Sequence, residues 1–175
     1  MSYTVYMNRV LIILAQQGYQ DKEYAGTRNV LESAGYEIMI ASTEAGECLG
    51  KFGGSALVDL ALRDVDIKEF DIIAFIGGPG AAALAQDEDA KRISRDALAH
   101  GKKLGAICIA PTILARAGVL KGKRATVWDN GGVQAKLLQS EGATYTGESV
   151  TRDGDIVTAN GPEVAEEFGQ LLAAL

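Results

Sequence analysis

Short apolar segments alternate with segments of helical spacing along the 175-residue chain, and this alternation is the feature that most constrains the fold. The apolar segments are uninterrupted and rich in β-branched residues, as in strands that are buried on both faces of a sheet. They are RVLIILA (9–15), YEIMIAS (36–42), DIIAFI (71–76), KLGAICI (103–109) and RATVW (124–128). Repeated strand–helix alternation predicts parallel βαβ units, and therefore a doubly wound α/β sheet with helices on both faces.

Helices and hairpins are expected around these strands. The segments with helical spacing are 21–35, 87–101, 111–120, part of 131–142, and 162–175. A glycine-rich stretch over 46–62 is consistent with a short hairpin, and 149–160 reads as another because Asp153-Gly154 is a turn signal. Since no linker or internal repeat interrupts the pattern, we expect one domain over residues 1–175.

Composition excludes several classes of protein. A net charge of −6 without a basic block argues against nucleic-acid binding. The apolar run over 10–15 is too short for a membrane span or a secretory leader, so we expect a cytoplasmic protein without membrane contact. Residues 1–7 resemble a ragged start, with Met7 as an alternative initiator. In a reducing compartment both cysteines should be free thiols.

Cys108 is the residue most suggestive of chemistry. In a doubly wound sheet, sites form at the carboxyl ends of strands, which here are followed by the loops 16–23, 77–80 and 108–111. Ala106 and Ala110 flank Cys108 at two residues' distance, and small residues at these positions allow a sharp strand–nucleophile–helix turn. The positive end of the helix that follows is expected to favour a thiolate. The alternative is a buried, inert cysteine.

The glycine-rich IGGPGA (76–81) offers hydrogen-bond donors for an oxyanion. Backbone N–H groups of Gly77 and Gly78, with that of Ile109, are expected to point into the crevice. An ordinary turn is the alternative. Cys48 lies in the glycine-flanked GECLG (46–50), and we expect a surface or dimer-interface residue without chemistry there.

The proton acceptor cannot be assigned to a histidine. His100 is the only one in the chain, and it precedes the strand that Cys108 follows. Eight mostly extended residues span roughly 25 Å, so His100 is expected to be a solvated helix-end residue. A carboxylate must replace it, and Glu23 and Asp21 both fall in the first turn of the first predicted helix. Spacing alone leaves open which acid takes part, or whether both only decorate the helix terminus.

At these residues the chain resembles the ThiJ/PfpI superfamily, also called the DJ-one family. The resemblance covers nearly the whole chain. It rests on the glutamate after the first strand, GGPG (77–80), AIC (106–108) followed by AP, GVLKGKRATVW (118–128) and DGDIVTANGP (153–162). It implies a flavodoxin-like fold, a homo-oligomer that is a dimer or larger, and a reactive cysteine paired with a glutamate. The family's spacing to the glycine that closes the first helix, here Gly35, selects Glu23 over Asp21.

The chain departs from the family at its histidines. Ile109 stands where the peptidase branch has a histidine, and Trp128 and Asp129 lie close to the place of a histidine in another branch. We expect Trp128 to be a wall of the pocket or a ring of the core, and Asp129 is a candidate for a substitute acid. Proteolysis is disfavoured by both absences.

The resemblance implies an enzyme that acts on small reactive carbonyls, of glyoxalase or deglycase type, with Cys108 as nucleophile and Glu23 as proton shuttle. One alternative is a redox sensor that works through oxidation of Cys108, and the third is a cysteine peptidase. The expected partner is a small-molecule substrate. We expect no cofactor and no metal, since one histidine and two distant cysteines do not make a ligand set.

Overall fold

The computed structural model describes residues 8–175, so the expectation about residues 1–7 and Met7 lies outside the described part. The strands are β1 (Arg9–Ile13), β2 (Gln17–Tyr19), β3 (Glu37–Ser42), β4 (Gly46–Gly50), β5 (Ser55–Val58), β6 (Leu60–Ala61), β7 (Ile72–Phe75), β8 (Lys103–Ile107), β9 (Arg124–Ala125), β10 (Thr144–Tyr145), β11 (Val150–Asp153) and β12 (Ile156–Ala159). The α-helices are α1 (Asp21–Ser33), α2 (Glu88–Ala99), α3 (Pro111–Arg116), α4 (Val133–Ser140) and α5 (Ala165–Ala174).

Seven strands form the central sheet in the order β11-β12-β8-β7-β1-β3-β6. All neighbouring pairs are parallel except β11 and β12, which form the predicted antiparallel hairpin around Gly154. The central strand β1 pairs with β3 on one side and β7 on the other, with Leu11 opposite Met39 and Ile73. The predicted α/β class and doubly wound, mostly parallel, flavodoxin-like sheet are confirmed.

Buried side chains alternate between two apolar clusters along the central strands, because successive residues of a strand point to opposite faces. Leu11 and Ile13 belong to one cluster, and Val10 and Ile12 belong to the other. The first cluster includes residues of α2, α3 and α4, and the second includes residues of α1 and α5. This two-sided burial explains why the strands are continuously apolar in the sequence.

Several short elements differ from the sequence-based expectation. The predicted strand over 124–128 is reduced to β9, which pairs with β10 outside the main sheet. The helix expected over 111–120 ends at Arg116, because Gly118 has a φ of +83° that ends helical geometry. Strand β2 and a 3₁₀ helix over Pro79–Gln86 were not expected. Each is short, and neither has a clear hydrophobic period.

The expectation of a surface position for Cys48 is wrong. The predicted hairpin is present as β4 and β5, but Cys48 lies inside β4, opposite Ala56, and is fully buried. Alternation along β4 turns its side chain inwards, while the flanking Glu47 and Leu49 remain exposed. Burial also raises the pKa of the Cys48 thiol. The thiol of Cys48 is therefore shielded from reagents.

Candidate active site

The loops after β1, β7 and β8 converge at one edge of the sheet. The N–H of Gln20, before α1, donates to the carbonyl of Gly77 after β7 at 2.9 Å. The Gln20 side chain also accepts from the N–H of Glu23 at 3.0 Å, so it caps α1 and orients its first turn. Two of the three loops predicted to carry the site, those after β1 and β7, are thereby held together.

Cys108 occupies a tight turn between β8 and α3. Its φ is +63°, the only positive φ of a non-glycine residue within residues 8–175. Two backbone hydrogen bonds of 2.8 Å hold this conformation: the N–H of Cys108 donates to Ala159, and its carbonyl accepts from the N–H of Trp128. Such a conformation costs on the order of 1–3 kcal/mol and is concentrated at functional sites. The geometry is that of a nucleophile elbow, with a half-buried thiol.

Glu23 is the acid that the fold brings to the thiol. The side chain is fully buried, and its Oε2 accepts from the N–H of Gly77 at 2.9 Å. Its Oε1 has no hydrogen-bond partner in the described part of the chain. The carboxylate lies close enough to Cys108 for its negative charge to raise the pKa of the thiol. A buried carboxyl with a free oxygen beside a thiol can take and return a proton.

The acid and the thiol both have raised pKa values. Burial, opposed by the contacts with Cys108 and Gly77, raises the pKa of Glu23 from 4.5 to about 7. Burial first, and then the negative charge of Glu23, raise the pKa of Cys108 to about 12, against the effect of the Gly78 and Ile109 N–H groups. The sequence-based expectation of a thiolate at neutral pH is therefore wrong, because burial and the neighbouring carboxylate outweigh the six-residue helix α3.

Two of the three expected backbone donors face the sulfur. The N–H groups of Gly78 and Ile109 interact with the Cys108 sulfur, whereas that of Gly77 is taken by Glu23. Gly77 contributes by close approach, since a Cβ there would lie 2.5 Å from Cys108 Cβ. Gly78 has a φ of +109°, which turns the chain towards the loop after β1.

A cavity of about 270 Å³ lies above the thiol. It is lined by Gln20, Glu23, Lys51, Gly78, Pro79, Cys108, Ile109, Trp128 and Pro162. Its volume is just below the range of roughly 300–1,000 Å³ that is typical of sites for drug-sized ligands, so it suits a smaller metabolite. A larger cavity of about 490 Å³ between α3 and α4 shares Ile109, but neither Cys108 nor Glu23 lines it.

Of the other residues that the sequence singled out, only Trp128 lines the cavity. Trp128 is a wall of the cavity and is 42% exposed. Asp129 does not line it: its two carboxylate oxygens accept from the N–H groups of Gly132 and Ala135 at the start of α4. Both Asp21 oxygens likewise bind backbone N–H groups, in the turn between β4 and β5. His100 is exposed at the end of α2, before β8, while Cys108 follows β8.

Sequence reasoning missed Gln20, Lys51 and Pro162. The position of Gln20 just before α1, with a side-chain acceptor, is a signal that could have identified it as a cap. Lys51 and Pro162 carry no local signal, because they belong to the β4–β5 turn and to the segment before α5. Only the folded chain brings these segments to Cys108.

The family model that describes the DJ-1/PfpI family matches residues 8–175. The chain belongs to the DJ-1/PfpI family. This confirms the resemblance drawn from the GGPG loop, the cysteine elbow and the glutamate after the first strand.

Within the described residues there is no cluster of three or more His, Cys, Asp or Glu side chains that is suitable for a metal ion. None of the helices over residues 8–175 is long and apolar enough to cross a membrane.

DJ-1/PfpI relatives carry several activities in their names. Deglycase PYRAB04690 of Pyrococcus abyssi is 33% identical over 88% of this chain and 90% of its own length. The glutathione-independent glyoxalase DJR-1.2 of Caenorhabditis elegans is 32% identical, over 90% and 83% of the two chains. A ThiJ/PfpI domain protein from Brachyspira murdochii has a crystal structure with a TM-score of 0.91 at 31% identity, covering 96% of this chain and 95% of its own. The chain is thus of the DJ-1/PfpI enzyme type, and these names do not share one activity.

Proposed function

We propose that the protein is a cofactor-independent enzyme that converts small reactive dicarbonyls, in the manner of a glyoxalase or deglycase. The observation that carries the proposal is the pairing of Glu23 with Cys108. A fully buried carboxyl, with one oxygen fixed by Gly77 and the other free, adjoins a half-buried thiol at the floor of a small cavity. Relatives named deglycase and glyoxalase support the same class of substrate.

The first step forms a carbon–sulfur bond. The Glu23 carboxylate takes the proton of Cys108, and the sulfur attacks the aldehyde carbon of a 2-oxoaldehyde. The carbonyl oxygen becomes an alkoxide, which the N–H groups of Gly78 and Ile109 stabilise. The proton on Glu23 then passes to this alkoxide and gives a neutral hemithioacetal with Glu23 again ionised.

The second step moves hydrogen between adjacent carbons. Glu23 removes the proton from the former aldehyde carbon, and an enediolate forms. The same carboxyl returns the proton to the neighbouring carbon, and the hydroxyl proton on the sulfur-bound carbon passes to the enediolate oxygen on that neighbouring carbon. The product is a thioester of a 2-hydroxy acid. Water hydrolyses this thioester and releases the acid and the free thiol. No electron acceptor is needed, because one carbon is oxidised while its neighbour is reduced.

Peptidase activity has less support. A cysteine peptidase uses an imidazole to protonate the leaving amine. The single histidine, His100, lies at the opposite end of β8 from Cys108. Glyoxalase chemistry needs only a thiol and a carboxyl.

The direct experiment measures loss of methylglyoxal and appearance of lactate with purified protein. We expect Cys108→Ala to abolish turnover, and Glu23→Gln to lower kcat by at least about 100-fold, since general acid–base groups contribute factors of roughly 10²–10⁴. Cys48→Ala is the matched control, because its thiol is buried away from the cavity, and it should keep its activity. Equal turnover in the wild type and Cys108→Ala would refute the proposal.

Oxidation of Cys108 is a second candidate function, and the position of this half-buried residue in the wall of the cavity favours it. The Gly78 and Ile109 N–H groups that interact with the sulfur can also bind sulfinate oxygens, and a protonated Glu23 can donate to them. We expect mild peroxide to add two oxygen atoms to Cys108 before any to Cys48, as read by peptide mass spectrometry. Faster oxidation of Cys48 would contradict this role.

A further inference from the structure

The cavity above Cys108 contains one lysine and no arginine, and the lysine comes from outside the three strand-end loops. Lys51 lies in the turn between β4 and β5 and lines the cavity together with Gln20 and Trp128. The backbone N–H of Lys51 donates to the carbonyl of Tyr19 at 2.8 Å, which joins the turn to the segment that leads into α1. The turn that carries the cation is therefore bonded to the segment that leads into α1, the helix of Glu23.

The turn that carries Lys51 is fixed by a second set of contacts. Asp21 accepts from the N–H of Phe52 at 2.8 Å and from that of Gly54 at 2.7 Å. Close packing of the Asp21 carboxylate against Gly50 and Gly54 leaves no room for a Cβ at either position. The Lys51 ammonium lies 5.2 Å from the centroid of the Phe52 ring. The backbone of the turn therefore holds Lys51, whose side chain is exposed, at the edge of the cavity.

The positive charge of Lys51 is not neutralised by a protein acid. Lys51 forms no salt bridge among residues 8–175. By contrast, Lys22 in the first turn of α1 pairs with Glu163 at 2.8 Å. The one acid that lines the cavity, Glu23, is buried beside the thiol and bound to Gly77. An anionic group on a ligand would supply the missing partner for Lys51.

We propose that Lys51 selects anionic substrates: 2-oxoaldehydes that carry a carboxylate beyond the dicarbonyl unit. The proposal rests on the proposed function, since it places the aldehyde at Cys108 and the carboxylate at the Lys51 ammonium. Trp128 and Pro162 lie along the same cavity, and the exposed position of Lys51 makes the expected ion pair a modest one. Lys51 is a specificity-determining residue, and bond making and breaking remain with Cys108 and Glu23.

The first test compares two substrates of similar size. 4,5-Dioxopentanoate carries a carboxylate and 2-oxopentanal does not, and both present the same 2-oxoaldehyde. We expect Lys51→Gln to lower kcat/KM about fivefold for the anionic substrate and less than twofold for the neutral one. A fivefold effect is what the loss of a partly exposed ion pair produces. Lys51→Arg should restore the preference. Equal changes for both substrates, or none, would overturn the proposal.

The second test does not depend on turnover. Iodoacetate and iodoacetamide both alkylate Cys108, and they differ mainly in charge. We expect the ratio of the iodoacetate rate to the iodoacetamide rate to fall about fivefold in Lys51→Gln. Mass spectrometry of the Cys108 peptide measures both rates. The wild-type ratio should also fall as salt is added, because screening weakens the attraction. A ratio that is the same in both proteins and insensitive to salt would overturn the proposal.

A matched control separates the local effect from net charge. Lys68 is exposed in the 3₁₀ helix Ile67–Glu69 before β7, at the sheet edge opposite the cavity. Lys68→Gln removes the same charge. It should leave unchanged both the preference for the anionic substrate and the ratio of the two alkylation rates. A change equal to that of Lys51→Gln would count against a local role. If the wild type consumes neither substrate, the proposed function fails, while the alkylation ratio still decides whether Lys51 attracts anions.

Discussion

At the scale of single residues, the proposed chemistry depends on the protons that Glu23 and Cys108 hold. The acid has a pKa of about 7 and the thiol a pKa of about 12. Between these values the pair carries one proton, which the sulfur holds in the resting state. Above pH 7 the carboxylate can accept that proton during attack on a carbonyl. Below pH 7 Glu23 is itself protonated and cannot act as the base.

The pH profile follows from these values. We expect kcat/KM for methylglyoxal to rise about tenfold per pH unit up to pH 7 and then to level off, since the active form is the singly protonated pair. Initial rates between pH 5 and 9 would measure this. The residual activity of Glu23→Gln should show no such rise. A wild-type profile that is flat across pH 7 would contradict the role of Glu23.

Glu23 also makes stability depend on pH. Its folded-state pKa is raised, so its contribution is fully present below its ordinary value of 4.5 and is lost as pH rises through about 7. The loss amounts to roughly 3 kcal/mol. We therefore expect Glu23→Gln to be more stable than the wild type at pH 8 by up to about this amount, with no difference near pH 4. Urea denaturation at the two pH values measures it, and equal stability at pH 8 would show that Glu23 is not strained by burial.

At the scale of elements, the site depends on close approach between the loop after β7 and the elbow after β8. A Cβ at Gly77 would lie 2.5 Å from Cys108 Cβ and 2.8 Å from Glu23 Oε2 and the carbonyl oxygen of Ile107. No side chain fits between a strand end, a buried acid and a constrained turn. The glycine therefore sets the distance between acid and thiol.

We expect Gly77→Ala to lower the free energy of unfolding by about 1–3 kcal/mol through overpacking, and to reduce methylglyoxal turnover by at least tenfold. Displacement of Glu23 from Cys108 is the reason for the second effect. Gly161→Ala is the control, because its φ of 166° suits any residue and a Cβ there meets nothing within 4 Å. Denaturant titration and initial rates should show lower stability and lower turnover in Gly77→Ala than in Gly161→Ala. A Gly77→Ala protein as active as Gly161→Ala would disprove the need for a glycine at position 77.

At the scale of the whole molecule, the sheet gathers residues that are distant in sequence. Glu23, Lys51 and Cys108 lie on three different segments, and the parallel strands bring the ends of β1, β7 and β8 to one edge. A homo-oligomer and a cytoplasmic location stay predictions at this scale. Light scattering after size-exclusion chromatography would establish the oligomeric state.

The sequence by itself determined the fold class and the position of the elbow that carries the proposed nucleophile. Buried parallel strands must be apolar on both faces, and the chain displays them as continuous runs around residues 9–15, 71–76 and 103–109. The small residues Ala106 and Ala110 on either side of Cys108 predicted the elbow, because a sharp turn needs small neighbours. Glu23 was reached through its place after the first strand, and the family resemblance was needed to prefer it to Asp21.

Only the tertiary structure decided the electrostatics and the walls of the site. The burial of Glu23 depends on what packs around it, so its raised pKa and that of Cys108 have no local signature. Asp129 reads in the sequence as a free acid, yet backbone N–H groups at α4 take both its oxygens. Lys51 reaches the cavity because a hairpin far along the chain folds beside α1. Periodicity records which face of an element is buried, whereas charge and distance between elements arise from their packing.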